Sequence, residues 1–450
     1  MSMALTPTRP EPGAPKAWSF PQVRRTLLSN GMAVLLCDLP TRPIASVHLC
    51  LDIPRDLEPE GLDGLAAITA AALREGTSGR DADAFSEALE SRGATLGMHA
   101  GDSGVRVALG VAVSRLEAAL ELVTEALAEP AFPVTDVERL VGQRLDAIAL
   151  EQADPGWRCG EAMMATLFDP SDRLARPGEG DAENVARITR DAAAGFWSEH
   201  AHPAHATLVI AGDFEGIDVE AILDSTLGGW AGSSGTAPEH RLPLAADPGR
   251  AVIVHRPGAV QTEFRLARVG PNRHSPTWPA TQLAAFCLGG TMSSRLMAKL
   301  REEKGYTYGI HASASPLATT GVLSIGAAVE TGVTGDALAD VLAEVRRLVT
   351  GGVTDSERDF AADALTSGPR RMESAHQVAG VLAGVVEEGL PDDFVARNLE
   401  RLERTPTAEV SERGALDWDA GRLSLIAVGD ATAIETPLRD AGFPDVTVIE

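Results

Sequence analysis

A nearly constant internal offset constrains this chain more than any other feature of its sequence. VTDVER at Val134–Arg139 returns as VTDSER at Val353–Arg358, 219 residues later. GMHAGDSG (Gly97–Gly104) is echoed by GIHASASP (Gly309–Pro316) at an offset of 212, and ATLVIAGD (Ala206–Asp213) by SLIAVGD (Ser424–Asp430) at 217. Three matches in the same order and at almost one spacing indicate a duplicated domain. The fold must therefore be one that each half of the chain can form.

Between the repeats lies GGWAGSSGTAPEHRLP (Gly228–Pro243), whose Gly, Ser and Pro content suits a flexible connection. The expected layout is a disordered Pro-rich tail at 1–18, a first domain at 19–230, a linker at 231–249 and a second domain at 250–450. In the first half, RRTLLSNGMAVLL begins as a hairpin with Asn30-Gly31 at the turn. ASVHLCLDI alternates, with Val47, Leu49, Leu51 and Ile53 on one buried face and Ser46, His48, Cys50 and Asp52 opposite. Asp81–Arg92 sets Ala84, Phe85, Ala88 and Leu89 on one helical face and ends at Gly93; Val105–Ala112 reads as a strand and Leu116–Leu127 as a helix. Thr135 with Glu138, and Thr354 with Glu357, read as matching capping boxes. The pattern predicts an α+β fold: two homologous domains, each a mainly antiparallel sheet with helices on one face.

Composition narrows the function. With 39 Lys+Arg against 64 Asp+Glu the net charge is −25, which argues against a nucleic-acid partner. No long apolar run suits a membrane span, and the N-terminus has no signal-peptide pattern, so no membrane partner and a cytoplasmic location are expected. Cys37, Cys50, Cys159 and Cys287 show no zinc-like spacing; Cys37 and Cys50 could face each other across neighbouring strands, but reduced thiols suit a cytosol.

The motif content then becomes specific. L-S-N-G-M (Leu28–Met32), followed by an alternating strand, resembles the opening of a pitrilysin/insulinase-type metallopeptidase domain. GLAAITAAALREGT (Gly64–Thr77) is similar to that family's G-L-A-H-x-x-E-H-x-x-x-x-G-T helix, keeping Gly64, Leu65, Ala66, Gly76 and Thr77. The family's zinc-binding H-x-x-E-H is replaced by Ala67, Ala70 and Ala71. Counted back from Asp154-Pro155, the resemblance puts the third ligand position at Ala147 and its supporting acid at Leu140. Alanine and leucine carry no lone pair, so this surface cannot hold zinc or activate a metal-bound water. The resemblance implies a clam-shell half with no metal, cofactor or catalytic residue of its own.

The second half carries LGGTMSSRLMAKLREEKGYTYGI (Leu288–Ile310), similar to the family's L-G-G-x-x-S-S-R-L-x-x-x-L-R-E-x-x-G-x-x-Y segment. Gly289 and Gly290 read as a loop before a helix buried through Leu296, Met297 and Leu300, with Gly305 as its cap and a strand from Thr307. Arg301 leaves the last helical turn and Tyr308 the strand, so the two converge. In two-chain members of the family, one subunit carries zinc and the other this Arg/Tyr pair. The resemblance therefore implies a partner with an intact H-x-x-E-H and zinc, and a peptide held by Arg301 and Tyr308 at that partner's site. Tyr306 and Tyr308 are the chain's only tyrosines, which favours a special role over a core one. Arg295 reads as structural.

Two motifs lead elsewhere. Gly101-Asp102-Ser103-Gly104 looks like a serine-protease nucleophile motif, but its residues suit a turn between strands. His200, His202 and His205 precede a strand and read as incidental surface histidines; His99 and His311 stand at matching repeat positions and read as structural. The function expected is a non-catalytic, substrate-binding and activating subunit of a heteromeric zinc metalloendopeptidase acting on short or unfolded peptides. The alternatives are a catalytically dead structural core subunit and a peptide-binding homodimer.

Overall fold

The computed structural model describes residues 19–231, 237–369 and 372–450. The tail expected at 1–18 and the Gly/Ser centre of the linker, 232–236, lie outside the described residues. Strands β1 (Arg24–Leu27), β2 (Ala33–Asp38), β3 (Ile44–Leu51), β4 (Gly76–Thr77), β5 (Arg80–Asp81), β6 (Thr95–Ala100), β7 (Val105–Ala112) and β8 (Ala206–Gly212) come from the first half. Its helices are α1 (Leu65–Ala72), α2 (Ala82–Glu90), α3 (Leu116–Ala128), α4 (Val134–Ala153), α5 (Pro155–Leu167), α6 (Ala182–Val185), α7 (Arg190–His200) and α8 (Val219–Thr226). The second half supplies β9 (Ala251–His255), β10 (Gln261–Gly270), β11 (Ile310–Pro316), β12 (Gly321–Glu330), β13 (Ser424–Gly429) and β14 (Val446–Ile449). It also supplies α9 (Trp278–Gly289), α10 (Thr334–Gly351), α11 (Asp355–Ser367), α12 (Ala375–Glu387), α13 (Phe394–Arg404), α14 (Thr407–Asp417) and α15 (Ala431–Asp440). Among the described residues, no helix is long and apolar enough to cross a membrane.

The duplication is visible in strand order. One six-stranded sheet runs β1-β2-β8-β3-β7-β6 and the other β14-β9-β13-β10-β12-β11. The repeated ATLVIAG and SLIAVG segments are the matching inner strands β8 and β13, and the repeated GMHA and GIHA segments enter the edge strands β6 and β11. Pairing is antiparallel except where β2 joins β8 and where β9 joins β13 and β14. Only the outermost strand differs, an N-terminal hairpin strand in one sheet and the C-terminal strand in the other. The hairpin turn passes through Gly31 at φ +86°, a conformation glycine adopts without steric cost.

Each sheet buries one face under helices of its own half. In the first, Val47, Leu49 and Leu51 pack with Leu65, Leu120, Val123 and Phe196. In the second, Phe264, Leu266 and Ile325 pack with Leu283, Leu338, Val341 and Trp418. The other face is covered by an exchanged helix. From the second half, α12 lays Val378, Ala379, Leu382 and Val385 on Leu35, Cys37, Val209 and Ala211 of the first sheet. From the first half, α5 lays Cys159, Met163 and Leu167 on Val254, Ala267, Ile426 and Val428 of the second sheet.

This exchange corrects the expectation that β3 has one buried face. Ser46, His48 and Cys50 on its opposite side are 2%, 3% and 5% exposed, because α12 covers them. Polar clasps fix that helix. Arg106 Nε donates to Glu387 at 2.6 Å, Arg273 Nη1 to Glu388 at 2.9 Å, and Arg25 grips Asp392 through two donors at 2.9 and 2.7 Å. In the other direction Arg250, Arg256 and Arg265 donate to the carbonyls of Thr166, Ala153 and Gly156 around α5.

Other local expectations change as well. The linker was read as flexible, yet its described part is strapped to α5: Asp169 N–H donates to Leu244 O and Ala246 N–H to Leu167 O, both at 2.8 Å. Helix α4 starts after Pro133 with no side-chain cap, so Thr135 and Glu138 form no capping box, whereas Thr354 and Glu357 do. Cys37 and Cys50 do not sit on neighbouring strands, since β8 runs between β2 and β3; all four cysteines are buried and free.

The exchange makes two predictions. Leu382→Ala should cost about 2–5 kcal/mol and lower one shared denaturation transition, because each half caps the other; a variant that unfolds in two separate steps would contradict the coupling. His48 lies under α12 with Nδ1 buried and unpartnered and its ring 5.9 Å from that of His376. Burial, then the charge of Arg106, then His376 and His99, lowers its pKa to about 4. The folded state therefore resists the proton that the unfolded chain accepts near pH 6.5. Stability is complete above that pH and falls by on the order of 3 kcal/mol as pH drops toward 4. Urea titrations at stepped pH should show this loss, and His48→Gln should flatten it.

Candidate functional site

The Leu288–Ile310 segment is shaped by close packing at its start. A Cβ on Gly289 would stand 2.3 Å from Ala312 N, so glycine is what lets α9 end directly against β11. The following helix is anchored by buried Leu296, Met297 and Leu300. Its last seven residues, Met297–Glu303, wind as a π-helix, with Lys304 N–H reaching Lys299 O at 3.2 Å. The wider turn re-aims the side chains that follow, a use that π-bulges often have. Gly305 at φ +66° then reverses the chain, and Tyr306 packs against the second core.

Beyond it, Thr307 Oγ1 lies 2.7 Å from Ala328 O and 2.9 Å from Gly309 O, and accepts the Gly309 N–H at 3.2 Å. These bonds hold Thr307–Gly309 as a loop. Tyr308 was expected on a strand, but β11 begins only at Ile310, because Thr307 takes its bonds through the side chain instead of the ladder. The result is a phenol thrown outward, 89% exposed.

Arg301 and Tyr308 are brought together: the guanidinium carbon stands 5.0 Å from the ring centroid, in cation–π range. Arg301 Nη1 lies 3.3 Å from Met292 Sδ and Nε 3.5 Å from a Glu302 oxygen, and the side chain is 29% exposed. Beside the pair is a groove of about 430 Å³ lined by Gln261, Gly305, Tyr308, His311, Ala328 and Glu330. It lies where β11 begins, over the end of β12 and the start of β10, and among the described residues no strand pairs with the outer edge of β11. Arg295 differs in kind. It donates to both oxygens of Glu357 at 2.6 and 2.8 Å and to Gly352 O at 2.8 Å, holding the Glu357 carboxyl down at about 2.

In the first half, the positions that the sequence resemblance sets against metal ligands lie on two packed helices. Ala67, Ala70 and Ala71 are on α1 and Leu140 and Ala147 on α4; Ala70 is fully buried. These methyl and isobutyl groups offer no donor atom, so the residues present do not fit zinc. The start of α1 is held by a carboxylate instead. Glu58 Oε1 accepts the N–H groups of Gly64 and Ala66 at 3.1 and 2.9 Å, and its Oε2 pairs with buried Arg173 at 2.8 Å. No sequence motif marked this pair, whose members are 115 residues apart.

The remaining candidates have local roles. Gly101–Gly104 forms the β6–β7 turn, with Asp102 paired to Arg55. His202 is buried, not on the surface, with Nε2 2.7 Å from Glu199 O at the end of α7. His99 and His311 stand on the two equivalent edge strands, His311 facing the groove beside Tyr308.

With this geometry in place, the chain can be compared with known proteins. Residues 187–365 match the family described as the peptidase M16 inactive domain. A Mycobacterium leprae protein called an uncharacterized zinc protease is 28% identical over 77% of this chain and 78% of its own. The crystal structure of a peptidase M16 inactive domain from Pseudomonas fluorescens superposes with a TM-score of 0.84, at 23% identity, over 91% of this chain and 98% of that one. Residues 187–365 are thus similar to an M16 inactive domain, and the chain has the fold of that family's solved structure. Its relatives also include a Helicobacter pylori protein called a non-peptidase homolog, 22% identical over 82% of this chain and 85% of its own.

Because Arg301 and Tyr308 have few contacts with the core, replacing them should cost little. Arg301→Ala and Tyr308→Phe should each change unfolding free energy by no more than about 0.5 kcal/mol, whereas Arg295→Ala should cost more than 1 kcal/mol by leaving Glu357 without its partner. Denaturant titration of the three variants separates the two roles.

Proposed function

We propose that this chain is the non-catalytic, substrate-binding and activating subunit of a two-chain zinc metallopeptidase acting on short or unfolded peptides in the cytoplasm. The observation that carries this reading is the Arg301–Tyr308 pair on a chain whose own metal positions are alanine and leucine. A tyrosine serving its own fold would turn inward; Tyr308 is exposed, with the half-buried Arg301 guanidinium against its ring. A peptide can extend the sheet along β11, its backbone pairing with the free ladder groups of the strand's outer edge. Arg301 and Tyr308 then lie at one end of the bound strand, where guanidinium and phenol can donate to a peptide carbonyl as negative charge develops on it. A homologous partner with H-x-x-E-H would supply the zinc and the attacking water. In this arrangement, the present chain contributes substrate alignment and transition-state hydrogen bonds.

The test is cleavage of an unfolded reporter peptide by this chain, by the zinc-bearing homologue, and by their mixture. Activity is expected only in the mixture. Within it, Arg301→Ala should lower kcat/KM about 100- to 1,000-fold and Tyr308→Phe about 10-fold. Equal cleavage by the zinc-bearing chain alone, or no change in the Arg301→Ala mixture, would remove the proposal.

A further inference from the structure

Helix α5 covers the second sheet with one side and leaves the other side open, and a cleft of about 510 Å³ lies there. It is lined by Trp157, Gly160, Glu161 and Met164 of α5, by the Arg176–Gly178 loop, and by Arg265 reaching over from β10. No residue of the Arg301–Tyr308 groove borders it.

Three features show a site shaped for a ligand. Trp157 is 46% exposed, whereas Trp197, Trp230, Trp278 and Trp418 are at most 5% exposed. A large aromatic surface left in solvent at a cleft is a contact surface in waiting. Gly160 lets Arg265 lie close to the helix: a Cβ there would stand 3.3 Å from Nη1 and would displace the guanidinium by a few tenths of an ångström. The third feature is charge. In this acidic chain the part-buried arginines Arg55, Arg106, Arg144, Arg173 and Arg295 each pair with a carboxylate, and so does Arg176 at the rim of the cleft, with Asp63. Arg265 instead donates from Nη2 to Gly156 O at 3.1 Å, and among the described residues it forms no ion pair with a carboxylate; Arg268, farther along β10, also lacks one but spends its donors on the Val269, Leu416 and Asp417 carbonyls. Glu263, two residues away on β10, is the acid that feels its charge.

A cation without an ion pair beside an indole and a thioether calls for a ligand with a carboxylate at one end and an apolar group next to it. Glu161, accepting from Gln152 Nε2 at 3.0 Å, adds an acceptor in the cleft wall for an N–H group. We infer that this cleft captures the C-terminal residue of a peptide. The carboxylate lies on Arg265, a large apolar side chain packs on Trp157 and Met164, and the residue's N–H faces Glu161. A simple fatty acid would satisfy Arg265 and the apolar wall but leave Glu161 unused. The inference does not depend on a zinc-bearing partner and is read on this chain alone.

The test follows the tryptophan fluorescence that is lost on Trp157→Phe in the full chain, with Trp18 also replaced by Phe, as N-acetyl-Gly-Phe or its C-terminal amide is added. The acid should give a saturable change and the amide should bind at least about 10-fold more weakly. Trp157→Ala should abolish binding measured by calorimetry, and Arg265→Gln, which keeps a donor for Gly156 O, should weaken the acid to the level of the amide. Circular dichroism verifies that both variants fold. Equal binding of acid and amide, no binding of either at millimolar concentration, or decanoate binding that the peptide cannot displace would each overturn the inference.

Discussion

The structure depends on each β-sheet having two apolar faces while each half has helices to cover only one of them. Helices α12 and α5 resolve this by crossing over, so that Leu382 is buried against the first sheet and Met163 against the second. The clasps at Arg106–Glu387, Arg273–Glu388 and Arg25–Asp392 follow from that crossing, since the charged ends of α12 land on the first half and on the loop after β10. The linker follows it too, being strapped to α5 at Leu244 and Ala246. Position along the chain and position in the core are thereby decoupled at the two helices that matter most.

The same frame explains how the first half keeps its architecture with alanine at Ala67, Ala70 and Ala71. The helix that the sequence resemblance sets against H-x-x-E-H is α1, buried through Leu65, Ile68 and Ala70 and held at its start by Glu58 and Arg173. Alanines at the ligand positions pack without leaving polar atoms to satisfy, so their presence is cheap for the fold. In the other half a π-turn, Gly305 and Thr307 bring Arg301 and Tyr308 together and leave the Tyr308 phenol exposed.

Much of this was legible in the sequence because it is local. The duplication, the Asn30-Gly31 hairpin, the strand at Val105–Ala112 and the cap at Thr354 each announce themselves within a few residues. The convergence of Arg301 and Tyr308 was also readable, since seven residues and one reversal separate them. The exchange was not, though a signal existed: ATLVIAGD and SLIAVGD set apolar residues at successive positions, which means burial on both faces. In β3 the alternation of Ser46, His48 and Cys50 hid the same fact, because these polar groups are covered all the same. Tyr308 was misplaced onto a strand because alternating Thr and Tyr imitate one. Arg265 and Trp157 had no local signal at all, as they meet only through the crossing of α5.

The crossing has a bearing on how such a chain could have arisen. A polypeptide of half this length would leave one face of its sheet bare, and the economical cure is to trade the matching helix with a second copy. Two such copies already form the present architecture, lacking only the covalent connection. Joining them end to end turns a concentration-dependent association into an intramolecular one and frees the two copies to diverge. One could then lose the residues of a shared chemistry while the other kept its arginine–tyrosine pair, with the traded helices holding both in register throughout.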